Sequence, residues 1–156
     1  MNRITVHAPY LGTLPTMLPF WAKSCAFNST VRFLLFTDAK IPCTLPANVE
    51  VGKTTLNAVE QMGWEKTGAS KLSIASPHKL CDSSSMYGET FSGYLQGTDF
   101  WECCDIDMIY QFQRKMTQPD FAKEMQLDVP EGSFLGSNGF TAKAPFLPVL
   151  LTNLTP

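Results

Sequence analysis

Asp99-Phe100-Trp101-Glu102-Cys103-Cys104-Asp105-Ile106-Asp107 is a short apolar run that stops abruptly in two carboxylates spaced i, i+2. The turn residues Gly97-Thr98-Asp99 precede it, so Phe100 to Cys104 reads as a strand. A strand of this kind carries the carboxylate pair to the point where the chain leaves the sheet, the usual place for ligands in open α/β sheets. Two hard carboxylates with one residue between them suit Mg²⁺ or Mn²⁺, and such a cation can in turn hold a diphosphate. An acidic turn or helix N-cap after a strand has the same pattern.

Working outward, the same strand-and-helix alternation recurs. Ile4 to Ala8 is β-prone and ends at Pro9-Tyr10-Leu11-Gly12. Leu14, Met17, Leu18, Trp21, Ala22 and Cys25 then recur at helical spacing through Phe27, with Pro15 in the first turn and Pro19 delaying or kinking the start. Val31 to Phe36 is apolar except at Arg32, as expected of a strand buried on both faces, and Thr37-Asp38 closes it. Val49-Glu50-Val51 predicts a short strand, and Thr54 to Trp64 a helix capped by Thr54 or Thr55. Glu65 to Ser76 reads as a loop. Pro77 opens a third helical segment toward Leu95, weakened by Ser83-Ser84-Ser85. Beyond Asp107, Met108–Met116 reads as a short helix and Phe134-Leu135-Gly136 as a strand, with Met108, Met116 and Met125 as packing residues. Pro145 and Pro148 interrupt the apolar tail Ala144–Pro156. The alternation predicts an α/β domain of three layers, a mainly parallel central sheet with helices on both faces.

Composition narrows the function classes. The 156 residues fit one domain, and a net charge of −2 leaves no electrostatic footprint for nucleic acid. No apolar run is long enough to span a membrane, and Met1-Asn2-Arg3-Ile4-Thr5-Val6 is too short in its apolar part for a signal peptide. The five cysteines (Cys25, Cys43, Cys81, Cys103, Cys104) lack C-x-x-C spacing, which argues against zinc and for free thiols in a reducing, cytoplasmic compartment. Asn28-Ser29-Thr30 and Asn153-Leu154-Thr155 match the glycosylation sequon but carry little weight without an export signal.

Other chemistries lack their signatures. No G-x-G-x-x-G, P-loop or nucleophile elbow occurs, so dinucleotide, NTPase and serine-hydrolase readings are disfavoured. His7 and His78 stand in different segments without a ligand partner at metal spacing and read as structural. Asp38 is either a turn former or an acceptor for a ribose or base at the sheet edge. Lys79 and Asp82, at i, i+3, are either a solvated helix pair or a phosphate- and hydroxyl-binding couple.

Four blocks together resemble a mostly bacterial glycosyltransferase-like family with a GT-A-type (Rossmann-like) nucleotide-diphospho-sugar transferase fold. The first is Ala8-Pro9-Tyr10-Leu11-Gly12 with Leu14-Pro15 and Phe20-Trp21-Ala22-Lys23-Ser24-Cys25. The second is Asn28, Phe33-Leu34-Leu35-Phe36-Thr37-Asp38 and Pro46-Ala47-Asn48-Val49. The third is Pro77-His78-Lys79-Leu80-Cys81-Asp82 with Tyr87-Gly88-Glu89, and the fourth is Asp99-Phe100-Trp101 with Cys104-Asp105-Ile106-Asp107. Residues 1–110 form the recognisable nucleotide-sugar half, and 111–156 a diverged or truncated remainder of one domain.

The resemblance implies a nucleotide sugar lying across the C-terminal edge of the sheet. Pro9, Tyr10, Gly12 and Asp38 would border the nucleoside, Lys79 and Asp82 would face ribose or sugar, and Asp105 would reach the donor as well as the cation. Asp105 and Asp107 would hold Mn²⁺ or Mg²⁺ on the diphosphate, with the ion acting as a Lewis acid while a glycan or other hydroxyl acceptor attacks the anomeric carbon. An inactive nucleotide-sugar- or carbohydrate-binding remnant is the alternative. The third block departs from the family: Ser83-Ser84-Ser85-Met86 stands where Phe-Lys-Pro-Ala is usual, removing a lysine. Gln111 replaces a glycine expected after the acidic pair, and no histidine follows His78. Asp120, Asp128 and Asn138 are candidates for a third ligand, and the spacing selects none of them.

Overall fold

The computed structural model describes residues 3–68, 74–107, 133–134 and 141–143. The elements are β1 (Ile4–Pro9), α1 (Leu18–Phe27), β2 (Val31–Thr37), β3 (Val49–Lys53), α2 (Leu56–Thr67), a 3₁₀ helix (Pro77–Met86), α3 (Tyr87–Thr90) and β4 (Phe100–Cys103). Two further short strands are β5 (Ser133–Phe134) and β6 (Thr141–Lys143). The sheet runs β3-β2-β1-β4-β6-β5. The first four strands are mutually parallel, and β6 and β5 add an antiparallel edge. The expected helix at Met108–Met116, the tail, and Asp120, Asp128 and Asn138 lie outside the described residues. Of the expected strand at 134–136, Phe134 is found in β5.

Alternation of side chains along the strands builds two cores. Ile4, Val6 and Ala8 of β1 and Val31, Phe33 and Leu35 of β2 meet Leu18, Trp21, Ala22 and Cys25 of α1. On the opposite face, Leu34 and Phe36 of β2 and Trp101 of β4 meet Val59 of α2, Leu80 of the 3₁₀ helix and Tyr87, Phe91 and Leu95. The result is the expected three-layer α/β arrangement. Each fully buried Trp21, Phe33 or Phe36 side chain contributes roughly 1.5–3 kcal/mol relative to exposure.

Several local choices follow from single residues. Helix α1 begins at Leu18, leaving Pro19 in its first turn, where a missing N–H costs nothing. Asn48 Nδ2 donates to the carbonyls of Cys25, Asn28 and Val31 at 2.9, 3.1 and 2.9 Å, tying the end of α1 to the start of β2. Arg32, the polar break in β2, makes a two-pronged contact with Glu50 of β3 (2.8 and 2.7 Å) and donates to the Tyr94 carbonyl. Helix α2 is capped by Thr55, which accepts from the Ala58 N–H at 3.3 Å. It outlasts the expected end at Trp64. Thr67 Oγ1 donates back to the Gly63 carbonyl, and Gly68, at φ +67°, closes the helix in a left-handed turn. Among the described residues no helix is long and apolar enough to cross a membrane.

Candidate functional site

Because β1, β2 and β4 are parallel, their C-terminal ends share one edge of the sheet, and Pro9, Asp38 and Asp105 all fall there. The strand order reverses direction at β1: the chain moves outward to β2 and β3 on one side and to β4 on the other. The crevice between the ends of β1 and β4 is therefore the switch point at which open α/β sheets bind ligands. A pocket of about 150 Å³ lies at this point, lined by Pro9, Cys81, Ser84, Tyr87, Cys103, Cys104 and Asp105.

The acidic pair is carried as its spacing predicts. Ile106 is buried in the α1-side core, and Asp105 and Asp107 on either side of it are exposed. Burial pushes the Asp105 carboxyl above its ordinary range, and the charge of Asp107 adds to the effect. Cys81 approaches from the 3₁₀ helix, its Sγ 4.0 Å from Asp105 Oδ1. Its thiol is raised by burial first, then by the charges of Asp105, Asp82 and Asp107. Of these carboxylates, Asp105 lines the pocket together with Cys81.

The other expected residues are distributed along the same edge. Asp38 Oδ1 accepts from the Gly12 N–H at 2.8 Å, so the loops after β1 and β2 are joined, and Gly12 holds φ +92°. Lys53 Nζ donates to the Ala39 carbonyl beside them. Lys79 Nζ pairs with Asp82 Oδ2 at 2.9 Å on the exposed side of the 3₁₀ helix. Tyr10 differs from the others: its N–H bonds the Phe36 carbonyl at 2.8 Å and its ring packs against the α1-side core. Its part at the edge is backbone geometry.

A family model described as a family of unknown function (DUF6625) matches residues 6–134. The chain belongs to that family. No curated protein and no solved structure is detectably similar. The DUF6625 match runs from within β1 through β4 and takes in the described pocket lining and the acidic pair.

Among the described residues, no group of three or more His, Cys, Asp or Glu side chains is arranged to hold a metal ion by itself. A Mg²⁺-type ion bound together with phosphates does not need one, since one or two carboxylates, waters and the ligand's own oxygens complete its shell. The exposed Asp105/Asp107 pair fits that role and does not fit a metal centre built from protein ligands alone. Among the described residues the lining of the pocket contains no Lys or Arg, so there a diphosphate would need a cation to screen Asp105.

Five lining residues, Cys81, Ser84, Tyr87, Cys103 and Cys104, had no site role in the sequence reading. Tyr87 walls the pocket with its hydroxyl donating to the Leu80 carbonyl at 2.5 Å. Ser84 and Cys103 face the same space. Alternation along β4 puts Cys103 on the same face as Trp101, the side that packs against the 3₁₀ helix.

Proposed function

We propose that this chain binds a nucleotide-sugar donor across the C-terminal edge of its sheet and transfers the sugar to a hydroxyl acceptor. A divalent cation, Mn²⁺ or Mg²⁺, would be held by Asp105 and Asp107. The observation that carries the reading is the exposed pair bracketing buried Ile106 directly after β4, beside a pocket at the β1/β4 crevice. The ordered resemblance of four blocks to a GT-A-type glycosyltransferase-like family supports it.

Each residue has a role set by its surroundings. Asp38 uses one oxygen to hold the Gly12 N–H, and its other oxygen is left to accept from a ribose hydroxyl or base N–H. Pro9, Tyr10 and Gly12 shape the turn that borders the nucleoside. Asp82 holds Lys79 at the rim, where its charge faces phosphate and the carboxylate faces a sugar hydroxyl. The bound cation supplies Lewis-acid stabilisation of the charge that develops on the departing nucleoside diphosphate. In the transfer the acceptor oxygen bonds to the anomeric carbon, the bond to the diphosphate oxygen breaks, and the acceptor loses its proton.

A second reading retains binding and drops turnover. It is favoured by the pocket-facing side of the 3₁₀ helix, where Ser84 stands in the stretch that usually brings a lysine in the resembled family. Calorimetric titration with nucleoside diphosphates, with and without Mn²⁺, tests both. The expected result is binding that requires the ion and disappears in Asp105→Ala/Asp107→Ala. A wild-type chain that binds no nucleoside diphosphate in the presence of Mn²⁺ contradicts both. Release of free sugar from a donor panel marks the enzyme, and binding without release marks the remnant.

A further inference from the structure

Helix α1 is apolar on both sides. Its inner stripe, Leu18, Trp21, Ala22 and Cys25, is buried against the sheet. Its outer stripe is Phe20, Lys23 and Phe27, at i, i+3 and i+7, with Pro19 and Ala26 exposed beside it. Phe20 is 60% and Phe27 80% exposed, and Met17, at the N-cap position, is 40% exposed. A helix on the surface of a globular domain ordinarily turns a charged or polar face outward. Single exposed apolar residues are common, but three large ones along one short helix form a patch.

The charges around this patch have one sign. All 14 Asp and Glu residues of the chain lie from Asp38 onward, so neither α1 nor the turns that flank it carry a carboxylate. The connection 39–48 lies over the same face of the sheet, where Ile41, Cys43 and Leu45 pack on the α1-side core, and it too lacks Asp and Glu. Lys23 on the stripe and Lys40 on this connection are both exposed, and neither makes an ion pair among the described residues. The carboxylate nearest to Lys40 along the chain, Asp38, is held at the Gly12 N–H.

We propose that the outer face of α1 docks on an anionic lipid surface. Phe20 and Phe27 enter the boundary between headgroups and acyl chains, and Lys23 and Lys40 meet headgroup phosphates. Size argues against a second copy of the chain as the occupant. Two partly exposed aromatics of at most about 250 Å² each fall short of the roughly 800 Å² per partner that a stable dimer buries. A lipid surface needs no such area, because a helix lying in the interface enters by a few apolar side chains while cations meet the headgroups. The chain as a whole carries a charge of −2, so a layer free of carboxylates is what lets an anionic surface approach. This face is on the opposite side of the sheet from the 3₁₀ helix that walls the pocket, and the docking does not rest on the donor-site reading.

The test is co-sedimentation of the full chain with vesicles of equal parts phosphatidylglycerol and phosphatidylcholine. The wild type is expected to pellet with them, to bind phosphatidylcholine alone more weakly, and to be released by raised salt. Phe20→Ser/Phe27→Ser lowers the partition coefficient about tenfold or more, and Lys23→Glu lowers it on the mixed vesicles. The substituted side chains are exposed, so the urea midpoints of both variants stay at the wild-type value. A wild type that stays in solution with the mixed vesicles overturns the proposal. If that wild type self-associates in sedimentation equilibrium and the double variant does not, the face joins two copies. If it stays monomeric and the double variant has a lower urea midpoint, another segment of this chain covers the face. Vesicle binding that survives the double substitution also overturns the proposal. Where the double variant loses stability, Lys23→Glu decides alone, and mixed-vesicle binding equal to that of the wild type overturns the proposal.

Discussion

At the scale of single residues, His7 shows how far a side chain's surroundings set its chemistry. It sits on the central strand, fully buried, stacked on Trp101 at 5.9 Å and edge-on to Phe91 and Phe36 at 5.4 and 5.9 Å. Desolvation, with a smaller push from the Arg32 charge, lowers it from 6.5 to about 3. The unfolded chain therefore takes up a proton below pH 6.5 that the folded chain refuses. Stability from this group is full above pH 6.5 and is lost as pH falls toward about 3. Between pH 7 and pH 5 the loss is about 2 kcal/mol. Urea titrations at the two pH values should show that loss in the wild type and a flatter response in His7→Leu. Equal slopes with pH in both proteins would remove His7 from the account. A lone histidine in a strand reads as structural from sequence, and here it lies fully buried on β1. The aromatic enclosure that makes it acid-sensitive comes from three other segments, so no sequence window contains it.

At the scale of elements, α3 packs closely on β4 on the pocket side. A Cβ on Gly88 would lie 2.4 Å from Trp101 Cζ2, and Trp101 is fully buried. Gly88→Ala is expected to cost about 1–3 kcal/mol by overpacking, measured as a lower urea midpoint. An unchanged midpoint would contradict close packing of α3 on β4. The strands β1 and β2 and the start of β3 were legible because alternation or continuous apolarity marks them directly. The Thr55 cap was legible as one of two adjacent threonines. The end of α2 was not, because Thr67 reads as a polar loop residue until its hydroxyl is seen to serve the helix. The serine run was legible as weak helix, and its weakness takes the form of a 3₁₀ helix. At the site, the acidic pair and Asp38 were legible as strand ends. The pocket residues Cys81 and Cys103 were not, since the 3₁₀ helix and the strand that carry them come to one pocket only in the folded chain.

At the scale of the whole molecule, two cores on opposite faces hold a parallel sheet whose C-terminal edge collects Asp38, Asp105 and Asp107, with the pocket at the β1/β4 crevice. An edge this acidic, above a pocket lined by no Lys or Arg among the described residues, suits a cation that arrives with its diphosphate. The central claim is that Asp105 and Asp107 share that ion. Its most direct measurement is a crystal of the chain grown with Mn²⁺ and a nucleoside diphosphate, read by anomalous scattering. The account predicts one manganese peak about 2.2 Å from carboxylate oxygens of Asp105 and Asp107 and from diphosphate oxygens. A nucleotide bound without manganese at this pair, or manganese bound elsewhere with the diphosphate, would contradict it.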